Sequence, residues 1–488
     1  MKTKLSLVIT LALIFGLAFG PDAAIAAQKA RRSRQAEVWR RQPPKPGPAR
    51  PFKLPAQREV KLENGLTLVM IADRRMPMVT ITLGIPVGAA HDPPGQPGLA
   101  EATADLLTEG VGARSSEQLA REVETLGGRL YASAGDDYTE IGVSVVSENA
   151  GQLLEILGDV ALRPAFPENE VALYKDNRVQ GLEVQRQDPA FLVNELFHRV
   201  VYGAHPYAIS APTPEAVAAL DRAKIESFYQ ANYTPAGSAL VIVGDFEPAK
   251  MEGYARTIFG AWKAPAAPER KFPPLPERTA RRVYLIDRPG SEQADFRIGN
   301  LAVAHADADY FPLLVANTIL GGGASSRLFL NLREEKGYTY DVFSSVNAPL
   351  QRGIFFGGSA TRTEVTLPAI KEMLAEFHRL RNQKVTPQDL RNAKNFLTGV
   401  FSLALSTQGG VVDAVLDTYM LGLKRDYLET YRARIEAVTA EQIQQAARKY
   451  ILTDKPAVVV VGDATKLRKA LEEIGPVEVF DVSGKPAN

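Results

Sequence analysis

The chain has 488 residues, of which 45% are hydrophobic and 23% charged, with a formal net charge of +1 and no cysteine. This length exceeds what one hydrophobic core supports and predicts roughly two to four domains. The near-neutral charge excludes a domain-wide nucleic-acid surface. The absence of cysteine excludes disulfides, thiolate zinc sites and a cysteine nucleophile.

The N-terminus has the three parts of a secretory signal peptide. Lys2 and Lys4 precede an apolar run from Leu5 to Gly20, and small residues at 24–26 offer a cleavage site before Ala27. The alternative is an uncleaved anchor, but the run is shorter than the ~20 residues that a spanning helix needs. We therefore predict a signal peptide at 1–26, export to the periplasm, and no integral membrane segment after cleavage.

Residues 27–52 form a basic, proline-rich segment with one acidic residue, Glu37. Such composition predicts an extended, disordered linker. Contact with an acidic partner or a membrane surface is the alternative.

The first globular half begins near residue 53. Alternating apolar residues around Asn64-Gly65 predict a hairpin, and Met78 to Val87 predicts a strand. Helices are predicted at about 98–108 and 115–126, strands at 129–134 and 139–146, and a long helical region at 150–202. A buried strand at 240–243 and an amphipathic helix to about Trp262 follow. A proline-rich bridge at 264–281 ends this half.

The segment from Gly321 to Tyr340 is the most distinctive part of the second half. Three glycines, Gly321, Gly322 and Gly323, follow an apolar helical run, and a short helix is predicted at 327–336 with Gly337 as its left-handed cap. A strand follows, with Tyr340 near its start. A cation at Arg327 and a phenol at Tyr340 on adjacent rigid elements can grip a peptide carbonyl. The alternative is a surface arginine and a half-buried strand tyrosine.

The second half repeats the first. Gly244-Asp245 and Gly462-Asp463 follow similar valine-rich strands 218 residues apart, and Pro167 and Pro387 each open a helix 220 residues apart. A period this long indicates a duplicated domain rather than a solenoid. The predicted fold class is α+β, with two tandem homologous domains at 53–263 and 282–488. Each is a mainly antiparallel sheet with helices packed on it, and together they form a clamshell.

The repeat, the frame GLAEATADLLTEG at 98–110 and the GGGASSRLFLNLREEKGYTY segment together resemble the pitrilysin and mitochondrial processing peptidase family of inverted-motif zinc peptidases. The resemblance covers residues 53–482. Family enzymes carry H-x-x-E-H on the first helix of the first half. Here the two histidines are replaced by Glu101 and Asp105, and the glutamate by Ala104. The metal motif is therefore degenerate.

Zinc prefers imidazole ligands, and catalytic sites of this kind add a glutamate as general base. Two carboxylates at i and i+4 make a harder, weaker site suited to Mg²⁺ or Ca²⁺. The alternative is an acidic, solvated helix face. The resemblance places the third family ligand near Glu183. We predict no catalytic zinc and no other cofactor in this chain.

The second half retains the other residues that the resemblance associates with function. The resemblance assigns Arg327 and Tyr340 to the substrate carbonyl and the oxyanion, and the glycine loop 321–323 to substrate handling. It implies a zinc-less subunit that binds oligopeptides or unfolded peptides and pairs with a zinc-bearing sister peptidase subunit. Nucleic acid is not an expected partner.

Two other functions stay open at this stage. One is a non-enzymatic peptide-binding or scaffold protein of the same fold, which has no reason to keep both Arg327 and Tyr340. The other is an enzyme with an unconventional metal on Glu101, Asp105 and a further carboxylate.

Overall fold

The computed structural model describes residues 54–264 and 271–487. The predicted signal peptide (1–26) and basic linker (27–52) lie outside these residues, as do residues 265–270 of the predicted bridge. Everything below concerns the described part of the chain.

The strands form two six-stranded sheets, one in each half, and a two-stranded ribbon. In chain order the strands are β1 Gln57–Lys61, β2 Thr67–Ala72, β3 Met78–Ile85, β4 Gly110–Val111, β5 Arg114–Ser115, β6 Arg129–Ala134, β7 Thr139–Val146, β8 Ala239–Gly244, β9 Arg282–Asp287, β10 Gln293–Leu301, β11 Val342–Asn347, β12 Ile354–Arg362, β13 Ala457–Gly462 and β14 Val477–Phe480.

The two large sheets have the same strand order over five strands. The first sheet runs β1-β2-β8-β3-β7-β6 and the second runs β14-β9-β13-β10-β12-β11. In both sheets the second and third strands pair in parallel and the remaining three pairs of this shared set are antiparallel. Only the first strand in each order differs, because β1 pairs antiparallel with β2 and β14 pairs parallel with β9. The duplication is thus visible in the topology.

Fifteen α-helices occur in the described part. They are α1 Leu99–Leu106, α2 Ser116–Thr125, α3 Ala150–Leu162, α4 Glu168–Gln185, α5 Pro189–Tyr202, α6 Pro214–Ala218, α7 Arg222–Asn232, α8 Pro248–Phe259, α9 Tyr310–Gly321, α10 Thr366–Asn382, α11 Pro387–Ala404, α12 Gln408–Met420, α13 Tyr427–Ala437, α14 Ala440–Tyr450 and α15 Ala464–Leu471.

Local sequence explains where these helices begin. Ser115 caps α2 in a capping box with Gln118, and Thr439 caps α14 in the same way with Gln442. The predicted helical region 150–202 is three helices rather than one. Pro167 is the N-cap of α4 and Pro189 opens α5, so that neither proline interrupts a helix interior.

The two halves exchange one helix each. Helix α5 of the first half packs on the second sheet, where Val193 and Phe197 are fully buried in a core with Val459. Helix α12 of the second half packs on β3 and β8 of the first sheet. Its approach is so close that a Cβ at Gly84 would lie 2.5 Å from Leu416 Cδ1. Each sheet is therefore covered on one face by a helix from the other half.

Among the described helices, none alone is long and apolar enough to cross a membrane. Helices α11 and α12 pass that test only as a pair, and they are bent by 109° at their junction.

The predicted fold class is confirmed: two tandem homologous α+β domains, each with a mainly antiparallel sheet and packed helices. The predicted strands at 129–134 and 139–146 agree with β6 and β7 at both ends.

Candidate functional site

Helix α1 carries the three degenerate motif positions, and the structure gives them different environments. Ala104 is fully buried, so its side chain belongs to the core. Glu101 and Asp105 are partly buried on the face that points toward α4. The helical spacing of i and i+4 places the two carboxylates one above the other.

The cation beside these carboxylates is Arg178 of α4. Its Nε lies 2.7 Å from Glu101 Oε1, and its Nη2 donates a hydrogen bond of 3.2 Å to Oε2. The two side chains are 20% and 31% exposed, so the pair is largely sheltered from solvent. A guanidinium therefore binds the position where the family resemblance places a metal ligand.

Asp105 lies in the same cluster and has no ion-pair partner among the described residues. Burial, together with the neighbouring charge of Glu101, raises the pKa of Asp105 to about 6, although Arg178 opposes the shift. Burial also raises the pKa of Glu109, with Glu170 adding like-charge repulsion. Carboxylates outnumber cations in this cluster.

A cavity of about 370 Å³ opens between α1 and α4 at this point, and its lining includes Asp105, Glu109, Glu170, Tyr174 and Arg178. Glu183 is exposed and does not line it. Arg178 was missed from the sequence. The two carboxylates at positions 101 and 105 could have indicated that a neighbouring helix supplies a cation.

The chemistry of these side chains does not fit zinc. No imidazole lies in the cavity lining, and the strongest contact of Glu101 is with a fixed positive charge that repels a cation. In the described residues no group of three or more His, Cys, Asp or Glu side chains is placed to hold a metal.

Arg327 of the second half is 13% exposed and forms an ion pair with Asp389, with Nη2 3.2 Å from Oδ2. Asp389 lies in the first turn of α11, the helix equivalent to α4. Arg327 Nη1 is buried and has no hydrogen-bond partner among the described residues. Arg327 is thus held by one of its nitrogens and has a second donor unused.

Tyr340 is 84% exposed, on the segment that connects a seven-residue π-helix, Phe329–Glu335, to β11. It lies two residues before the strand, and not at the half-buried strand position of the alternative interpretation. The guanidinium of Arg333 lies 4.8 Å from its ring centroid and 4.5 Å from that of Phe329. Arg333 holds the phenol by a cation–π contact while leaving its hydroxyl in solvent.

The structure gives Arg327 and Tyr340 separate neighbours, and no hydrogen bond or ion pair joins them in the described contacts. The predicted helix at 327–336 is the π-helix, a form that occurs frequently at functional sites. Gly337 caps it with a φ of +63°, as predicted.

Packing restricts part of the predicted glycine loop 321–323. Gly321 is the last residue of α9 and is buried, and a Cβ there would lie 2.2 Å from the main-chain nitrogen of Ser344. Gly322 is partly buried, and Gly323 is exposed with open space around it. Gly321 therefore lets the helix approach β11, and only Gly323 has room to move.

Comparisons with known proteins agree with this architecture. Residues 67–215 match the family model described as insulinase, peptidase family M16, and residues 219–397 match the model described as peptidase M16 inactive domain. A relative from Bacillus subtilis named an uncharacterized zinc protease is 24% identical over 80% of this chain and 95% of its own. A relative of the same description from Streptomyces coelicolor is 26% identical over 83% and 89%.

Solved structures also resemble it. A crystal structure titled as a peptidase M16 inactive domain from Pseudomonas fluorescens has a TM-score of 0.78 at 26% identity, covering 84% of this chain and 98% of that one. A protease from Helicobacter pylori has a TM-score of 0.77 at 19% identity, covering 84% and 100%, which shows a shared fold.

Proposed function

Because the chain belongs to peptidase family M16, we propose that it is the zinc-less subunit of an exported heterodimeric zinc peptidase. In this proposal it binds oligopeptides or unfolded peptides and supplies Arg327 and Tyr340 in trans to the active site of a zinc-bearing sister subunit. Zinc there supplies Lewis-acid activation of water and carbonyl, which this chain does not provide.

The ion pair between Glu101 and Arg178 is the observation that carries the proposal. The helical frame of the family site is present, but a guanidinium and carboxylates stand where zinc ligands are required. A chain of this family with that substitution needs a metal from elsewhere if it takes part in hydrolysis. The exposed phenol of Tyr340 in the second half supports a role in hydrolysis.

Tyr340 and Arg327 are suited to different tasks. The exposed hydroxyl of Tyr340 can donate to a substrate carbonyl oxygen, and that contact strengthens as negative charge develops on the oxygen. Arg327 has one unused buried donor, Nη1, while its Nη2 contacts Asp389. Tyr340 also precedes β11, an edge strand of the second sheet, to which an extended peptide can add by main-chain hydrogen bonds.

The alternative is a non-enzymatic peptide-binding or scaffold protein of the same fold. It is favoured by the ion pair between Arg327 and Asp389, because a structural arginine makes the same contact. Catalytic measurement separates the two proposals.

The test is Tyr340→Phe in the assembled complex with the zinc-bearing sister. This variant removes a hydroxyl that is exposed, so melting temperature and assembly are expected to be unchanged. Loss of an oxyanion donor lowers kcat about 10²-fold, about 2.7 kcal/mol, with a smaller effect on KM. Unchanged kcat per complex would leave this chain as a scaffold.

Arg327→Lys is the companion variant. It keeps the charge but loses the planar fork, so both the Asp389 contact and the grip on the peptide weaken. Some loss of stability is expected, which Tyr340→Phe does not share. If the two residues act on one carbonyl, the double variant is little slower than the more damaging single variant.

Assembly is tested separately by light scattering of the chain mixed with its sister, with a 1:1 complex or a multiple of it expected. A sister that is fully active alone and never binds this chain would refute the divided-enzyme proposal.

A further inference from the structure

A second cavity lies in the second half, away from the residues discussed so far. Its volume is about 560 Å³, within the range of small-molecule pockets. It is enclosed by the start of α9, helices α13 and α14, and the turn at 422–424. Its polar lining consists of His305, Asp307, Lys424, Tyr427, Arg434 and Gln442.

The cations of this cavity are only weakly compensated. Arg434 has its nearest carboxylate, Asp426, at 3.9 Å, the limit of an ion pair. Lys424 has no ion-pair partner within the described residues. The one carboxylate of the lining, Asp307, already accepts a hydrogen bond of 2.9 Å from the Ala304 main chain. The cavity lining therefore carries two positive charges against one negative charge, that of Asp307.

Aromatic rings hold one of these cations in place. The Arg434 guanidinium lies 5.6 Å from the ring centroids of both Phe311 and Tyr427. Because a planar guanidinium on two rings loses little further freedom when it binds, it is pre-organised for a planar anion. Leu423 and Val438 add apolar wall beside it.

His305 completes the polar side without adding charge. Its Nε2 lies 2.7 Å from the Tyr427 hydroxyl oxygen, and its ring stacks on Tyr310 with 4.1 Å between centroids. Burial lowers the pKa of His305 to about 4, so the ring is neutral at physiological pH. The Tyr427 hydroxyl and the His305 ring orient each other at the cavity wall.

We propose that this cavity binds a carboxylate carried on an apolar body of about dipeptide size. The carboxylate pairs with Arg434 and Lys424, and the apolar body packs against Phe311, Leu423 and Val438. A planar carboxylate matches the two-pronged donor geometry of arginine. The site is formed by this chain alone, so it does not depend on the proposed partner or on hydrolysis.

The test is isothermal titration of the full mature chain with alanylphenylalanine as the free acid and as its C-terminal amide. The free acid is expected to bind saturably, and the amide at least about tenfold more weakly, because it lacks the negative charge. Equal binding of acid and amide, or no saturable binding of either, would overturn the proposal.

Variants locate the site. Arg434→Gln and Lys424→Gln are each expected to weaken binding of the free acid by about tenfold, and Arg434→Lys to restore part of the loss. Lys371→Gln is the matched control, since Lys371 lies in the same half, pairs with Glu473 and does not line the cavity. Melting temperatures verify that each variant is folded. Full affinity in both cavity variants would contradict the site.

A third probe, 3-phenylpropionate, distinguishes sources of the ligand. Binding of the dipeptide alone identifies a peptide C-terminus as the ligand class. Binding of both identifies a carboxylate on any apolar body, and failure of both refutes the assignment.

Discussion

At the scale of single residues, Arg178 determines what the degenerate motif can do. Zinc ligands must be lone-pair donors around a cation, whereas Glu101 here binds a guanidinium that is itself the cation. The positive charge that compensates the helix-face carboxylates is therefore covalently part of the chain. An added metal ion must displace the Arg178 guanidinium, and no imidazole lines the cavity to bind that ion.

The first prediction concerns metal content. The mature chain purified alone without chelator is expected to carry no stoichiometric zinc, because its cavity has no imidazole and contains a fixed guanidinium. Elemental analysis is the measurement, with the zinc-bearing sister as positive control. About one tightly held zinc per chain would contradict it.

The second prediction uses the raised pKa of Asp105. The folded-state value of about 6 lies above the ordinary value of 3.8, so the folded chain binds an extra proton between these pH values. The contribution of protonated Asp105 to the free energy of unfolding is therefore fully present below about pH 4 and is lost as the pH rises through about 6. Asp105→Asn removes this loss and is expected to stabilise the chain at pH 7 by about 1–2 kcal/mol after allowance for solvent screening.

Urea denaturation of wild type and Asp105→Asn at pH 4 and pH 7 measures this effect. The difference between the two proteins, rather than the slope of either, isolates Asp105, because burial also raises the pKa of Asp136 to about 6. Equal stability of the two proteins at pH 7 would show that the carboxylate is compensated in the folded chain.

At the scale of elements, the equivalent helices α4 and α11 each form an ion pair, at different positions along the helix. In the first half the helix supplies Arg178 to Glu101, and in the second half it supplies Asp389 to Arg327. Each ion pair ties the helix to a segment that carries a predicted site residue. The two links are not equivalent in the repeat, because Arg178 lies in the middle of α4 and Asp389 in the first turn of α11.

The third prediction tests the first of these links with a double-mutant cycle. Arg178→Met leaves Glu101 beside other carboxylates with no cation, and is expected to destabilise the chain by about 1–3 kcal/mol, because the pair is partly buried. Glu101→Gln in the same chain removes the uncompensated charge and should recover much of that loss. Urea midpoints of the two single variants and the double variant give the coupling energy; strictly additive effects would mean that the pair contributes nothing.

At the scale of the whole molecule, the exchange of α5 and α12 joins the two halves through buried apolar contacts. Leu416 of α12 is fully buried against the first sheet, and Phe197 of α5 is fully buried against the second. Tyr138 also donates a hydrogen bond of 2.7 Å to Asp417 across the halves. Separation of the halves would expose both sets of apolar side chains to water.

The fourth prediction follows from that exchange. A protease site inserted within residues 265–270 and then cut is expected to leave the two halves bound to each other, because each half supplies the helix that covers one face of the other half's sheet. Gel filtration under native conditions should give one species, and 8 M urea, as control, should release two. Halves that separate without denaturant would show that the exchanged helices are weakly held.

The sequence alone determined the features that depend on local pattern and repetition. Apolar alternation predicted β6 and β7, and the 218-residue offset predicted the duplicated sheet. The resemblance of residues 98–110 to the family's motif segment indicated the degenerate metal motif at 101, 104 and 105. These signals lie within short windows or between aligned copies, where spacing is itself the physical constraint.

Only the tertiary structure decided which residues meet. Arg178 lies 77 residues from Glu101, and Asp389 lies 62 residues from Arg327, so neither ion pair has a local spacing to indicate it. The exchange of helices was equally hidden, because an amphipathic helix shows that one face is buried but not against which sheet. Gly321 was placed in a glycine loop for the same reason: its contact with Ser344 exists only once α9 packs against β11.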